Sequence, residues 1–377
     1  MKKKLVLLII IVLFFLFDAT ISYAKRNKME TPVITDNEIR AIYISYLEYM
    51  DNFLGNSKEI NQVKIDKMID IIKENNLNTI ILHVSPFSDS IYNSRYFPYS
   101  YTLTGKEGKN PGFDYLEYFI KKAHSKNIKL YAWINPYRIS FNNDIGSINN
   151  SNPAHQLINT TSVYVDKKGI YYNPASILVK DLIVNQVDEI INNYKVDGIH
   201  LDDYFYIQRD IDKLEYETYI EQNGNISLSD FRLMNTNDLI KRIYMTIKKK
   251  NKDIVFSIAP DGNINNNYQY HYADVKTWLN STMYVDIIMP QIYYGFNNEY
   301  SPFEKVLSEW ISIKNNKNIQ MVPVLAYYKI NEKDEEAGSG INEWITDHNL
   351  INKQINLIRK KQLSGYAFFR YDYLIKK

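Results

Sequence analysis

The segment VDGIHLDDYFY at residues 196–206 decides the fold, because it has the pattern of a short buried strand that ends in carboxylates. Successive side chains of a strand point to opposite faces, so Ile199 and Leu201 share one face while His200 and Asp202 share the other. The apolar pair is expected to face covering helices. His200 and Asp202 are then expected to face the interior of a barrel, with Asp202 at its mouth.

Short β-branched or aromatic runs alternate with amphipathic stretches on both sides of this segment. The predicted strands are 39–46, 79–84, 128–134, 198–202, 254–258, 285–290, 319–326 and 365–369. The predicted helices are 60–74, 113–125, 177–194, 228–250, 272–280, 303–314 and 350–361. This alternation favours an α/β fold, a (β/α)8 TIM barrel with long βα loops. Because the sequence stops at Lys377, the eighth helix is expected to be short or missing.

Extra length is concentrated after particular predicted strands, in the loops 85–110, 136–172 and 204–227. The carboxyl ends of barrel strands form the active face of a TIM barrel. We therefore expect these loops to form the walls of a substrate cleft.

The composition excludes several classes of protein. The 377 residues contain no cysteine, which excludes disulfide scaffolds, cysteine nucleophiles and thiolate metal sites. The 45 basic and 43 acidic residues give a net charge of +2, without the basic excess typical of nucleic-acid binders. Neither a GxSxG elbow nor an HExxH pair is present. We predict no cofactor and no metal, although His83, His200 and Asp202 could converge in a barrel.

The N-terminus has the pattern of an export signal. Three lysines precede the apolar run 5–17, and Ser22-Tyr23-Ala24 offers small residues to a signal peptidase. We predict a signal peptide at 1–24, a polar linker at 25–37 and a barrel domain at 38–377. Cleavage removes three of the 45 basic residues and one of the 43 acidic residues, so the mature chain has 42 of each and a formal net charge of zero. The alternative is an uncleaved membrane anchor, although the run is shorter than the roughly 20 residues of a spanning helix.

Three aspartates are predicted to be catalytic. Asp202 ends the fourth strand, Asp261 follows the fifth, and Asp89 lies in the loop after the second. A pair of carboxylates suits the acid–base chemistry of glycosidic bond cleavage. Each also has a structural interpretation: Asp202 and Asp89 could accept hydrogen bonds from loop amides, and Asp261-Gly262 is a common turn pair.

A further set of polar and aromatic residues lies on or directly after predicted strands and is predicted to bind substrate. These residues are His83, Trp133, Asn135, Arg138, His200, Asp203, Tyr204, Gln291, Tyr293, Tyr327 and Arg370. Aromatic faces together with amide and guanidinium donors suit a carbohydrate, whose C–H faces stack while its hydroxyls form hydrogen bonds. His200 could equally be a buried structural histidine. Asp203 shares the parity of Ile199 and is expected to anchor a loop.

Five segments together resemble the glycosyl-hydrolase-like family 10. They are PYSYTLTGKEGKNPGFDYLEYFIKKAH (98–124), LYAWINPYR (130–138), VDGIHLDDYFY (196–206), VDIIMPQIYY (285–294) and GYAFFRYDYL (365–374). The resemblance implies an exported bacterial (β/α)8 barrel related to glycosidases, in a family some of whose members cleave peptidoglycan. It points to Asp202, Asp203, Asn135, Arg138 and Gln291 as site residues.

The chain departs from that family pattern at two places. Ser85 stands where the family commonly has an arginine, and Ala259-Pro260-Asp261-Gly262 stands where it commonly has Ser-Pro-Phe-Gly. The first departure puts the substrate contacts expected from the family in doubt. The second either adds an acid to the site or marks a divergent site.

The leading hypothesis is an exported enzyme that cleaves glycosidic bonds of peptidoglycan, as a lytic transglycosylase or a muramidase-like hydrolase. Its expected partner is a glycan strand, and its expected location is the cell wall or the medium, or the membrane if the signal stays uncleaved. Two alternatives remain. One is a glycoside hydrolase for another polysaccharide, and the other is a non-catalytic glycan-binding barrel.

Overall fold

The computed structural model describes residues 37–203, 205–206 and 210–375. The predicted signal segment, almost all of the predicted linker, and Tyr204 therefore lie outside the described residues. In the described part of the chain, no helix combines the length and the apolar character needed to cross a bilayer.

Parallel strands form the main sheet. They are β1 (Ile39–Ile44), β2 (Thr79–Ser85), β3 (Lys129–Ile134), β7 (Gly198–Leu201), β8 (Val255–Ile258), β9 (Ile287–Ile288), β10 (Gln320–Met321), β11 (Val324–Leu325) and β12 (Gly365–Phe368). Their order is β10-β9-β8-β7-β3-β2-β1-β12-β11. Each pairing is parallel, as the strand–helix alternation predicted.

The sheet closes on itself through the segment 320–325. Val322 N donates to Ile288 O at 2.9 Å, on the side of β9. Ala367 N of β12 donates to Pro323 O at 3.0 Å, on the other side. The segment is one barrel strand that is interrupted near Pro323, which has no N–H to donate. Eight strand positions therefore surround the interior, and the predicted (β/α)8 fold is confirmed.

Helices cover the outside of the barrel or lie in its loops. They are α1 (Tyr46–Asn52), α2 (Lys58–Glu74), α3 (Tyr101–Thr104), α4 (Tyr115–Ser125), α5 (Pro153–Leu157), α6 (Ile177–Asn193), α7 (Lys213–Asn223), α8 (Leu228–Lys250), α9 (Ile264–Asn266), α10 (Val275–Asn280), α11 (Phe303–Ser312), α12 (Glu343–Thr346), α13 (Leu350–Lys360) and α14 (Asp372–Ile375). The helix after β12, α14, is only four residues long in the described part of the chain, as expected. Helix α8 begins at Leu228 as predicted, and Ser227 caps it.

Strand side chains divide between two cores. Outward side chains such as Ile199 and Leu201 pack in the layer between sheet and helices. Inward side chains such as Tyr43 and Trp133 fill the barrel. His200 belongs to the interior, where its ring contacts the Tyr43 ring edge-on at a centroid distance of 5.4 Å. The alternation predicted for residues 199–201 is therefore confirmed.

The long loops contain structure of their own. A three-stranded antiparallel sheet, in the order β4-β6-β5, is formed by β4 (Arg138–Ser140), β5 (Val163–Asp166) and β6 (Gly169–Tyr172). It lies within the predicted loop 136–172, while α7 lies within the predicted loop 204–227. Both loops leave the carboxyl ends of barrel strands, so these elements are built on the active face.

Candidate active site

Asp202 lies directly after β7 and is 4% exposed. One of its partners is Asn135, which follows β3. With its amide nitrogen toward Asp202, Asn135 donates to the two carboxylate oxygens at 2.6 and 2.9 Å, whereas the opposite orientation would place oxygen against oxygen. Burial raises the pKa of Tyr43, and the nearby charge of Asp202 raises it further. The structure thus brings Asp202, Asn135 and Tyr43 together at the mouth of the barrel.

Asp203 also lies at the mouth. The prediction from strand alternation, which placed Asp203 on the same face as Ile199 and toward the helices, was therefore wrong. Strand β7 ends at Leu201, so strict alternation stops before Asp203. Gln291 donates through Nε2 to Asp203 Oδ1 at 3.0 Å and to Ala259 O at 2.8 Å. Burial raises the pKa of the Asp203 carboxyl, and the neighbouring Asp261 charge acts in the same direction. Asp203 therefore retains its proton to higher pH than an ordinary aspartate does.

Asp261 follows β8 and is paired with a histidine that no sequence motif indicated. His271 Nε2 lies 3.6 Å from Asp261 Oδ2, and Asn263 N donates to Asp261 Oδ1 at 2.7 Å. Burial alone would raise the pKa of Asp261, but the nearby His271 and the hydrogen bonds from Asn263 and Asn266 outweigh it and lower that pKa. Burial opposes protonation of His271, yet its two carboxylate neighbours raise its pKa overall. An ionised Asp261 therefore sits beside a His271 that stays protonated to higher pH than an ordinary histidine does.

Asp203, Asp261 and His271 form one cluster, which we call the carboxylate cluster. One polar atom from each of these side chains lies within 4.8 Å of the other two. In this cluster the pKa of Asp203 is raised and that of Asp261 is lowered, a division of the kind that acid–base catalysis uses. A cation could also approach such a group of atoms, but three ligand atoms are fewer than the roughly six that calcium or magnesium takes. Hydrogen bonds and the ion pair already occupy much of the cluster.

Asp89 lies in a different environment, inside the loop after β2. It is buried, and its Oδ1 accepts the Phe87 N–H at 3.0 Å. Burial raises the pKa of Asp89 to about 7, although hydrogen bonds from Ser100 and Phe87 act against the shift. These partners belong to its own loop. The geometry thus matches the loop-anchor interpretation, and a catalytic role for Asp89 stays a prediction.

The interior below the mouth contains two buried histidines. The His83 ring stacks on Trp133, with centroids 3.6 Å apart and an interplanar angle of 9°. His200 contacts Tyr43 Oη through Nε2 at 3.1 Å and Ser257 Oγ through Nδ1 at 2.8 Å. Burial lowers the pKa of His200 to about 3, and it lowers the pKa of His83 as well. Both imidazoles are therefore uncharged beneath the carboxylates: His83 packs on Trp133, and His200 forms hydrogen bonds.

Comparison with known proteins identifies the family. The glycosyl hydrolase-like 10 family model matches residues 38–339. This chain belongs to the glycosyl hydrolase-like 10 family. Glycosyl hydrolase YngK of Bacillus subtilis (strain 168) is 30% identical over 348 residues, which cover 86% of this chain and 67% of the relative. Glycosyl hydrolase DigH of Escherichia coli (strain K12) is 31% identical over 343 residues, which cover 84% and 76%.

Solved structures confirm the fold of this glycosyl hydrolase-like 10 protein. The PgaB (BpsB) glycoside hydrolase domain from Bordetella bronchiseptica superposes with a TM-score of 0.60 at 11% identity, covering 89% of this chain and 95% of that one. Alpha-L-fucosidase isoenzyme 2 from Paenibacillus thiaminolyticus gives 0.58 at 12% identity, covering 89% and 48%. At these identities the likeness establishes a TIM-barrel-like fold shared with glycoside hydrolases.

Two groups of aromatic rings border the candidate site at the barrel mouth. The first group is Tyr46, Phe87 and Phe141: the Phe87 ring centroid lies 4.8 Å from that of Tyr46 and 5.2 Å from that of Phe141. The guanidinium of Arg138 lies 4.5 Å from the Phe141 ring, which is 50% exposed. Arg138 is close enough to His83 to lower the pKa of that histidine, after the larger effects of burial and His200. The predicted Arg138 is thus at the mouth, beside rings that could stack on a sugar.

The second group follows β9, β11 and β12. The Tyr293 ring lies 5.7 Å from Tyr328 and 5.9 Å from Phe369, and the charges of Asp203 and Asp202 add to the burial that raises the pKa of Tyr293. Tyr327, which was predicted to bind substrate, packs instead on Phe368 in the outer layer at 4.5 Å. A 3-10 turn begins at Tyr327, so the neighbouring Tyr328 contacts Tyr293 in its place.

Arg370 is held by two carboxylates rather than left open for substrate. Its Nη1 lies 2.6 Å from Glu48 Oε1 and 3.1 Å from Asp372 Oδ2. Glu48 also accepts Ser45 N at 2.7 Å, within the capping box of α1. Arg370 therefore joins the ends of β1 and β12 at the mouth, a positioning role that the sequence prediction did not foresee.

Proposed function

We propose that the protein is an exported enzyme that cleaves glycosidic bonds in the glycan strands of peptidoglycan. The observation that supports this most strongly is the carboxylate cluster at the barrel mouth. Its two aspartates have pKa values displaced in opposite directions, upward for Asp203 and downward for Asp261. Such a division between two neighbouring carboxyls is typical of acid–base pairs in glycosidases.

In the proposed reaction, Asp203 is the general acid. It donates its proton to the glycosidic oxygen as the bond from that oxygen to the anomeric carbon breaks. The ionised Asp261 stabilises the positive charge that develops on the sugar ring. Water then completes hydrolysis, or the muramyl 6-hydroxyl completes transglycosylation, and Asp203 takes up the proton released by either nucleophile.

The spacing within the cluster bears on stereochemistry. Asp203 and Asp261 offer atoms within 4.8 Å of each other. Inverting glycosidases separate their carboxyls by about 6.5–9.5 Å to admit a water, whereas retaining enzymes hold them about 5–5.5 Å apart. The spacing is shorter than the separation by which inverting enzymes admit a water between their carboxyls.

The choice of peptidoglycan rests on two further observations. The N-terminal segment has the export-signal pattern, and the resemblance to glycosyl-hydrolase-like family 10 implies relatives that cleave peptidoglycan. The aromatic rings around Arg138 and Tyr293 suit an extended glycan chain, whose sugar faces they could stack against. The proposed location is the cell wall or the medium.

Incubation with purified peptidoglycan, followed by mass spectrometry of the fragments, tests the proposal. Anhydro-muramyl ends indicate transglycosylation, and reducing ends indicate hydrolysis. Cleavage of another polysaccharide alone would contradict the proposed substrate. Glycan binding without any cleavage would contradict the proposed activity.

Charge-removing variants test the assignment of roles. We expect Asp203→Asn and Asp261→Asn each to lower kcat by about 10²–10⁴-fold, the usual contribution of a positioned acid or base. Asp253→Asn, an exposed aspartate just before β8, is the matched control. Asp202→Asn decides the sequence-based prediction for Asp202: full activity in that variant would remove Asp202 from the catalytic set.

A further inference from the structure

A buried ion pair lies beside the carboxylate cluster, in residues that no motif singled out. Arg232 of α8 is 2% exposed and Asp212 is 0% exposed. Arg232 Nε lies 2.9 Å from Asp212 Oδ2, and Nη2 lies 2.6 Å from Oδ1, so the contact is bidentate. Burying two charges carries a desolvation cost that can exceed the energy gained by pairing them. A buried pair of this kind need not add to the stability of the fold, so its main effect can be to hold neighbouring residues in place.

The guanidinium of Arg232 extends from this pair to Tyr272. Its Nη1 donates to Tyr272 Oη at 3.1 Å, and its carbon lies 4.9 Å from the Tyr272 ring. The ring of Tyr206 lies 5.4 Å from the same carbon and meets the Tyr272 ring edge-on at 5.2 Å. Arg232 is thus bonded to Asp212 and Tyr272 and is flanked by two aromatic rings.

Tyr272 has a backbone conformation that its surroundings must maintain. Its φ of 50° and ψ of 44° place it in the left-handed region, where a bulky side chain is unfavourable. It ends the π-helical turn Asn267–His271, so it directly follows the histidine of the carboxylate cluster. Fixing the Tyr272 side chain therefore fixes the end of the turn that presents His271 to Asp261.

The same contacts connect two loops that bear catalytic candidates. Tyr206 belongs to the loop after β7, three residues beyond Asp203. Tyr272 belongs to the loop after β8, which also bears Asp261. Arg232 lies against both rings, so it links the loop of the proposed acid to the loop of its ionised partner.

We infer that Arg232 is a positioning residue for the carboxylate cluster: through Tyr272 it holds His271 against Asp203 and Asp261. The contact that carries this effect is the hydrogen bond from Arg232 Nη1 to Tyr272 Oη. The expected effect on catalysis rests on the proposed function. The placement of His271 can be tested whether or not the protein cleaves a glycan.

Tyr272→Phe is the sharpest test, because it removes only the hydroxyl that Arg232 bonds and leaves the buried ion pair in place. Tyr216→Phe is the matched control, since it removes a tyrosine hydroxyl that donates to Ile226 O at 2.8 Å, away from the cluster. We expect Tyr272→Phe to lower kcat about tenfold with little change in KM, and Tyr216→Phe to leave both unchanged. Equal kcat values in the two variants would overturn the inference.

A readout independent of activity separates this inference from the proposed function. Histidine NMR titration, with the His271 signal assigned by its loss in His271→Gln, measures the pKa of His271 in each protein. We expect that pKa to fall toward its ordinary value in Tyr272→Phe and to stay raised in Tyr216→Phe, whether or not any glycan is cleaved. An unchanged pKa in Tyr272→Phe overturns the positioning role, while failure of the wild type to cleave glycans overturns only the proposed function.

Discussion

The pKa values of Asp203 and Asp261 are displaced in opposite directions because their neighbours differ. Asp203 receives one amide hydrogen bond, from Gln291, which does not offset the effect of its burial. Asp261 receives a backbone N–H from Asn263, an amide from Asn266 and the ion pair with His271. Hydrogen bonds to a carboxylate favour its ionised form, whereas burial disfavours it. His271 acts on both groups, because its positive charge lowers the pKa of each.

Removing that charge should move both limbs of the pH–activity profile. In His271→Gln the pKa of Asp261 rises, so the limb on which activity grows as Asp261 ionises moves to higher pH. The pKa of Asp203 also rises, so the limb on which activity falls as Asp203 loses its proton moves to higher pH. We expect shifts of about 1 pH unit, a typical effect of a nearby charge. The measurement is kcat/KM against pH.

His348→Gln provides the control, because His348 is exposed and lies just before α13, away from the cluster. A profile for His271→Gln that coincides with that of His348→Gln would contradict this account of the acid and the base.

The sequence predicted part of this site and missed the rest for physical reasons. Asp261 and Gln291 were predicted at the mouth because each comes within three residues of the end of a strand whose pattern is clear. The side chain of Asp203 was predicted to face the helices because the strand alternation was continued past Leu201, where the strand ends. His271 follows Asp261 by ten residues and reaches it through a π-helical turn, a geometry without a distinctive sequence pattern.

At the scale of elements, the eight barrel strands were predictable because each is a short run of β-branched or aromatic residues. The segment 319–326 was predicted as one strand and is divided into β10 and β11 around Pro323. The three-stranded sheet within 136–172 was missed because its strands have only three or four residues, too few to show a period.

The loop after β2 contains a pH-sensitive anchor. Asp89 has a pKa of about 7 in the folded chain against 3.8 ordinarily, so the folded state binds its proton more tightly than the unfolded state. Its contribution to stability is therefore greatest below pH 4 and is lost as the pH rises to 7. Asp89→Asn removes this dependence, and we expect the variant to gain about 2 kcal/mol relative to wild type between pH 5 and pH 8.

Urea denaturation at the two pH values measures the change, with Asp253→Asn as the exposed control. A stability difference between Asp89→Asn and wild type that is the same at both pH values would show that Asp89 does not titrate in this range. Glycan cleavage by the same variant decides whether Asp89 has the catalytic role predicted for it.

At the scale of the whole molecule, the export signal can be tested in a bacterial host. We expect the chain to be recovered from the wall or the medium with Lys25 as its first residue. Ala24→Arg should block cleavage and leave the longer form in the membrane fraction, whereas Ile10→Arg should interrupt the apolar run and stop export. Recovery of the wild type in the membrane with residues 1–24 intact would support the anchor alternative instead.

Closure of the barrel depends on a glycine where the first and last strands meet. Gly365 of β12 pairs with Ile39 of β1, and a Cβ at Gly365 would overlap the carbonyl oxygen of Ile39. Its φ of 144° is also unfavourable for any other residue. Gly55 has a φ of 79°, and a Cβ added there would meet nothing within 4 Å, so it shares the backbone strain without the clash.

Alanine substitutions at these two glycines distinguish the cost of backbone strain from the cost of a clash between β1 and β12. We expect Gly55→Ala to lower the free energy of unfolding by about 1–2 kcal/mol, the cost of a side chain in the left-handed region. Gly365→Ala should cost about 3 kcal/mol more, because the new methyl group pushes β1 and β12 apart and opens the sheet along its whole length. Guanidinium denaturation measures both values. Equal decreases in the free energy of unfolding for the two variants would mean that the barrel tolerates separation of β1 from β12. The pairing of these two strands would then contribute little to holding the active face together.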